Sequence, residues 1–159
     1  IKKIKKIKPN IQFSSDFIIG YPGETNEDFQ ETVKLMKEIR FINSYSYIFS
    51  ARPGTPAFNL PTGDKEDAKK RLINFQTVAE KIKNEYRKNL INKISIVLFE
   101  NKTENTNKYF GRDEYFNSVI AESDVSLIGK IKSVKITNIS GNTLFGKIII
   151  NSSEKNYAA

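Results

Sequence analysis

The stretch that most constrains this chain is DFIIGYPGETNEDF, from Asp16 to Phe29. An apolar run, Phe17-Ile18-Ile19, stops abruptly at Gly20-Tyr21-Pro22-Gly23, and an acid and a threonine follow. A strand buried on both faces reads this way in an α/β layer. Gly20 and Gly23 permit a sharp turn and Pro22 stiffens it. Thr25 is placed to cap the next helix, with Asp28 at the capping-box position. Phe29, Val33, Met36 and Ile39 then recur at helical spacing. Early acids (Glu27, Asp28, Glu31) and late bases (Lys34, Lys37, Arg40) suit the helix dipole. Ligands of α/β folds gather at such strand-to-helix junctions.

The strand is expected over Ile11–Ile19, and Ser44–Ser50 (SYSYIFS) reads as a second one. The helix between them is long enough for a parallel crossover. The loop ARPGTPAFNLPTG follows, and its three prolines exclude a regular helix or a central strand. Asp64 is expected to cap a long connector helix over 64–89. Ala68, Leu72, Phe75, Val78, Ile82 and Tyr86 form its apolar face.

Beyond about Asn92 the periodicity changes. Ile94–Phe99, parts of FGRDEYFNSVI, Ile131–Ile139 and Thr143–Ile150 read as strands, with ISGNT as a hairpin turn. The expectation is an incomplete α/β unit over 1–90 and a small all-β barrel of about five strands over 91–152. At the N-terminus, Ile1, Ile4 and Ile7 suggest the end of an amphipathic helix; a basic tail is the competing reading.

Composition narrows the chemistry. The 159 residues hold no cysteine and no histidine. Disulfides, thiolate-held metals and imidazole acid–base catalysis are therefore excluded within this chain. No run approaches the eighteen apolar residues of a membrane span, and IKKIKKIK has no signal-peptide apolar core. The formal charge is +8, divided as +6 over 1–90 and +2 over 91–159. Solubility explains such a charge, and so does a polyanionic partner. Arg112, Lys130, Lys132, Lys135 and Lys147 fall on or beside the expected barrel strands. Lysines with exposed aromatics on a small barrel are a common way to hold RNA; a solvated sheet face is the alternative.

Several segments carry a resemblance. SSDFIIGYPGETNEDFQET (14–32), SYIFSARPGTPA (46–57) and KEDAKKRLINFQ (65–76) resemble the C-terminal half of the radical S-adenosylmethionine (radical-SAM) methylthiotransferases. IVLFE (96–100), FGRDEYFNSVI (110–120), LIGKIKSVKIT (127–137) and NTLFGKII (142–149) resemble the TRAM domain appended to them, a small RNA-binding barrel. The pattern is most similar to the tRNA branch that makes 2-methylthio-N6-isopentenyladenosine at position 37 of the anticodon loop. The resemblance implies that residues 1–90 are the end of a radical-SAM partial barrel, and 91–152 a TRAM-like domain. Ile19, Gly20, Pro22, Gly23 and Glu24 would form one wall of the S-adenosylmethionine pocket. Arg52 would lie on the substrate side. Arg112, Lys130, Lys132, Lys135 and Lys147 would meet a tRNA anticodon stem-loop. For Glu24 the simpler role is helix N-terminal stabilisation, and for Arg52 loop bracing.

The family requires two [4Fe-4S] clusters, each held by three cysteines, and neither set is present here. The resemblance thus implies a C-terminal piece that binds no cofactor alone, lacks its N-terminal half and is inactive without it, in the cytoplasm and away from membranes. Two alternatives remain: an RNA-binding remnant without enzymatic function, and the branch acting on threonylcarbamoyladenosine.

Overall fold

A computed structural model of the chain describes residues 1–104 and 107–149. The expected strand end at Ile150, the domain end at 152 and residues 105–106 of the asparagine-rich loop lie outside the described residues. The chain divides into two compact units, Ile1–Glu85 and Tyr86–Ala159.

The first unit contains α1 (Lys2–Ile7), β1 (Ser14–Ile19), α2 (Asn26–Ile39), β2 (Asn43–Ile48), a short 3-10 turn (Pro56–Asn59) and most of α3 (Lys65–Lys88). Strand β1 pairs with β2 in parallel, from Ser14 opposite Asn43 to Ile19 opposite Ile48. The capping box at Thr25 forms as expected. The Asp28 N–H donates to Thr25 Oγ1 at 3.1 Å, and the Thr25 N–H donates to Asp28 Oδ2 at 3.0 Å. These bonds to Thr25, backbone first, hold the Asp28 carboxyl below its ordinary pKa. Asp64 starts α3 by accepting the Glu66 N–H at 2.7 Å.

Two expectations need correcting here. Strand β1 begins at Ser14 rather than Ile11, and Phe13 instead offers its carbonyl to the Ile42 N–H. Strand β1 is not buried on both faces. Ile19 is fully buried and Phe17 half-buried, whereas Ile18 is 59% exposed. Helices cover only one side, so alternation reappears in a run that is continuously apolar. The expected N-terminal helix is present as α1, with Ile7 86% exposed.

The covered side is well packed. Ile19, Phe29, Val33, Met36, Phe41, Phe75 and Ile82 form its core. The Phe17 ring lies 4.7 Å from Phe75 and 5.5 Å from Phe41, centroid to centroid. Burying each such side chain stabilises by roughly 1.5–3 kcal/mol.

The second unit is a closed five-stranded barrel: β3 (Ile94–Lys102), β4 (Lys108–Asp113), β5 (Ser118–Glu122), β6 (Ile131–Ser140) and β7 (Thr143–Ile148). The order around the barrel is β3-β4-β5-β7-β6. All neighbours are antiparallel except β5 and β7. The fifth strand arises because FGRDEYFNSVI is broken at its centre. Asp113 accepts the N–H groups of Tyr115 and Asn117 at 2.9 Å on one oxygen and the Asn117 amide at 2.8 Å on the other. A buried carboxylate thus ties the β4–β5 turn, in which Phe116 adopts a left-handed conformation (φ 61°). Val97, Phe99, Tyr109, Val119, Val134, Ile136 and Leu144 fill the interior. A side chain at Gly111 would collide with the Leu98 carbonyl, so glycine is what lets β3 curl over β4 there.

Candidate functional site

The carboxyl ends of β1 and β2 meet the start of α3 around a small cavity of about 170 Å³. Gly20, Tyr21, Gly23, Glu24, Phe49 and Arg71 are among its walls. Gly20 is required twice over. Its φ is +74°, and a Cβ there would stand 2.7 Å from the Ala68 Cβ on α3. The carboxylate of Glu24 reaches back and accepts the Gly20 N–H at 2.9 Å. The Arg71 guanidinium donates to that same oxygen at 2.8 Å and to the Glu24 carbonyl at 3.0 Å. It also lies 5.7 Å from the Phe29 ring centroid. The two charged side chains are mostly buried, at 11% and 23% exposure. The turn is therefore clamped from α3 as well as shaped by its own glycines.

Of the residues expected at this wall, Gly20, Gly23 and Glu24 border the cavity. Ile19 supports it from behind, with its side chain in the core and its carbonyl bonded to the Phe49 N–H at 2.8 Å. Pro22 is half-buried in the turn between the two glycines and is not a lining residue. Arg52 is exposed and does not line the cavity either. Its carbonyl braces the Arg-Pro-Gly-Thr turn by accepting the Thr55 hydroxyl at 2.8 Å. Tyr21 packs edge-on against Phe49, with centroids 5.0 Å apart. The uncovered face of the sheet is a feature the sequence reading missed. Register places Asp16 beside Tyr45 and Ile18 beside Tyr47, and both tyrosines are at least 60% exposed.

The expected basic residues of the barrel do not form one patch. Lys135 and Lys147 are register partners on β6 and β7, both exposed. Lys147, Lys132 and Lys108 border a groove of about 740 Å³ that also takes in Ile120, Phe145 and Val125. Lys130 lies in the β5–β6 loop, where its carbonyl accepts the Phe99 N–H at 3.0 Å. Arg112 is on β4, 3.6 Å from Glu100 and 5.4 Å from the Phe110 ring centroid.

No family model matches the chain. It is 48% identical over 157 residues to the tRNA-2-methylthio-N(6)-dimethylallyladenosine synthase of Pelagibacter ubique, covering 97% of this chain and 34% of that one. The synthase of the same name from Vesicomyosocius okutanii is 43% identical over 150 residues, and that of Photorhabdus laumondii 40% over 151. These alignments cover 94% of this chain and 34% and 32% of the two relatives. The chain is homologous to the C-terminal portion of these synthases. It spans about a third of their length.

The synthase homology fits the incomplete first unit, an open two-stranded sheet that precedes a closed barrel. It also frames the question of cofactors. With no cysteine in the chain, no thiolate ligand for an iron–sulfur cluster is available from it. Among the described residues, no group of three metal-ligating side chains comes together. A cavity of 170 Å³ falls short of the roughly 300–1,000 Å³ of small-molecule pockets. By itself the junction does not enclose a pocket of that size. Among the described residues, no helix is long and apolar enough to cross a membrane.

Proposed function

We propose that this chain supplies the C-terminal part of a tRNA methylthiotransferase acting on N6-dimethylallyladenosine. The single observation that carries this reading is the 48% identity along nearly the whole chain to a synthase of that name. In this reading the open face of β1 and β2 is completed by the N-terminal part, which brings both iron–sulfur clusters. Ile19, Gly20, Pro22, Gly23 and Glu24 form one wall for S-adenosylmethionine, with Gly20 offering backbone and Tyr21 an apolar ring. Arg52, exposed on its braced turn, is available to an anionic group on the substrate side. The barrel holds the anticodon stem-loop through Arg112, Lys130, Lys132, Lys135 and Lys147, and the protein works in the cytoplasm. By itself the chain has no methylthiolating activity.

A chimera tests the enzymatic part. The C-terminal third of the Pelagibacter ubique synthase is replaced by this chain and expressed in a host lacking its own synthase. The expected outcome is 2-methylthio-adenosine in that host's tRNA by mass spectrometry. A soluble, cluster-loaded chimera that leaves the tRNA unmodified would sink the assignment. The shared name of the three relatives favours the dimethylallyladenosine branch over the threonylcarbamoyl one.

A second reading, an RNA-binding protein without enzymatic function, draws on the barrel being closed by its five described strands. Both readings expect RNA binding that weakens with salt. Neutralising Arg112, Lys130 and Lys132 together should lower the salt slope by about 2, at ~0.7 per single-strand phosphate contact. An unchanged slope would remove these residues from the interface.

A further inference from the structure

The outer wall of the barrel carries a row of apolar side chains that its interior does not use. Tyr109 and Gly111 of β4 are buried, so Lys108, Phe110 and Arg112 face outward. The same alternation turns Val119 and Ala121 of β5 inward and Ile120 outward. On β7 it turns Leu144 inward, with Phe145 and Lys147 outward. Register then aligns the outward residues. Phe110 stands opposite Ile120, and Ile120 stands opposite Phe145. Two half-buried phenyl rings therefore flank one isoleucine across three adjacent strands, about 10 Å apart at the ~4.8 Å spacing of neighbouring strands.

Cations flank this row, with Glu100 3.6 Å from Arg112 and Glu122 3.6 Å from Lys108. The Arg112 guanidinium is 5.4 Å from the Phe110 ring centroid. Beyond Phe145 on the same strand comes Lys147, whose register partner is Lys135. Ile120, Phe145 and Lys147 also border the 740 Å³ groove, so the row has open space beside it. Rings lying half-open on a sheet, with positive charge along their margin, match an unpaired nucleic-acid strand. Every base offers a π-face, and the phosphates between bases need cations. A protein partner would be expected to meet a continuous apolar core with charge depleted from it, which this charge-framed row is not.

We propose that Phe110, Ile120 and Phe145 are a stacking platform for two unpaired RNA bases, with Lys135, Lys147 and Arg112 holding the phosphates between them. The inference rests on the RNA-binding reading above and adds to it the two rings and the single-stranded form of the ligand.

The probe is a fluorescein-labelled single-stranded RNA of about ten nucleotides, within the usual range for one small barrel, titrated by anisotropy against the full chain. Phe110→Leu and Phe145→Leu keep volume and apolarity but remove the ring, and each should weaken binding about tenfold. The salt slope should stay unchanged, because no cation is lost. Phe145→Trp should restore or strengthen affinity. RNA carrying 4-thiouridine should photocrosslink to peptides containing Phe110 or Phe145.

If the leucine variants bind RNA like the parent while crosslinks map elsewhere, the platform is overturned and the RNA-binding reading survives. A parent chain that binds no RNA overturns both. Thermal melting of each variant shows that a loss of affinity is not a loss of fold. A concentration-dependent dimer abolished by Phe110→Leu would assign the row to a second copy of the chain, and so overturn the proposal.

Discussion

The two units bury their strands in different ways. The barrel joins each strand to two neighbours and closes, so every strand edge is paired within the chain. The first unit has only two strands, and β1 has one neighbour. One face of that sheet meets helices, while the other presents Ile18, Tyr45 and Tyr47. Closure removes the exposed edges that invite pairing with other chains, and a two-stranded parallel sheet cannot do so. Parallel pairs are normally covered on both faces. The barrel is thus complete as it stands, and the sheet is half of a layered arrangement.

This contrast can be broken by experiment. The largest effect is expected from Phe99→Ala, which empties the centre of the barrel. About 3–5 kcal/mol should be lost, measured by denaturant unfolding. Native-state hydrogen exchange should then show loss of protection in β3–β7 with β1 and β2 little changed. Uniform loss across both units would show that the chain unfolds as one body. Next comes Gly20→Ala, which combines a left-handed backbone with a collision against Ala68. It should cost roughly 2–3 kcal/mol, seen as faster exchange in β1 and α3 but not in the barrel.

Arg71→Met should cost less, about 1–2 kcal/mol, because solvent still reaches the pair. It should also raise protease cleavage at Tyr21–Thr25. A turn that stays resistant would mean the glycines hold it alone.

The smallest effect is specific to the barrel unit. Burial, reinforced by the nearby Asp113 carboxylate, pushes the Tyr86 hydroxyl well above its ordinary pKa. A group raised in the folded state contributes stability that is complete below the unfolded pKa. For tyrosine that contribution declines as pH rises past about 10. Urea unfolding between pH 9 and 11, about the unfolded pKa, should show stability falling with alkalinity, and the fall should be smaller in Tyr86→Phe. Equal slopes in the two proteins would remove Tyr86 as the cause.

The features legible in the sequence are the local ones. The Thr25 and Asp28 capping box joins residues three apart, within one turn of helix. The α3 stripe, Ala68, Leu72, Phe75, Val78 and Ile82, followed from its period alone and packs as that period requires. Two kinds of feature were not legible. The Glu24–Arg71 pair joins residues 47 apart, and nothing local to Arg71 sets it off from the other cations of α3. The row of Phe110, Ile120 and Phe145 depends on register. That register is set by the β4–β5 and β5–β7 pairings, which join strands with no local signal of their alignment, and one residue of slip would exchange inside for outside. Composition therefore pointed to lysines, whereas pairing identified the rings between them.

The parallel pairing of β5 with β7 has a kinetic consequence. Strand β6 intervenes in sequence but lies on the far side of β7. The β6–β7 hairpin must therefore arrive as a unit and dock on two separate edges, β3 and β5. Contacts between strands so far apart in sequence form late and slowly. On the ribosome, the three-stranded meander β3-β4-β5 would emerge first with both edges bare. It can close only after Ile148, the last residue of β7, has been synthesised.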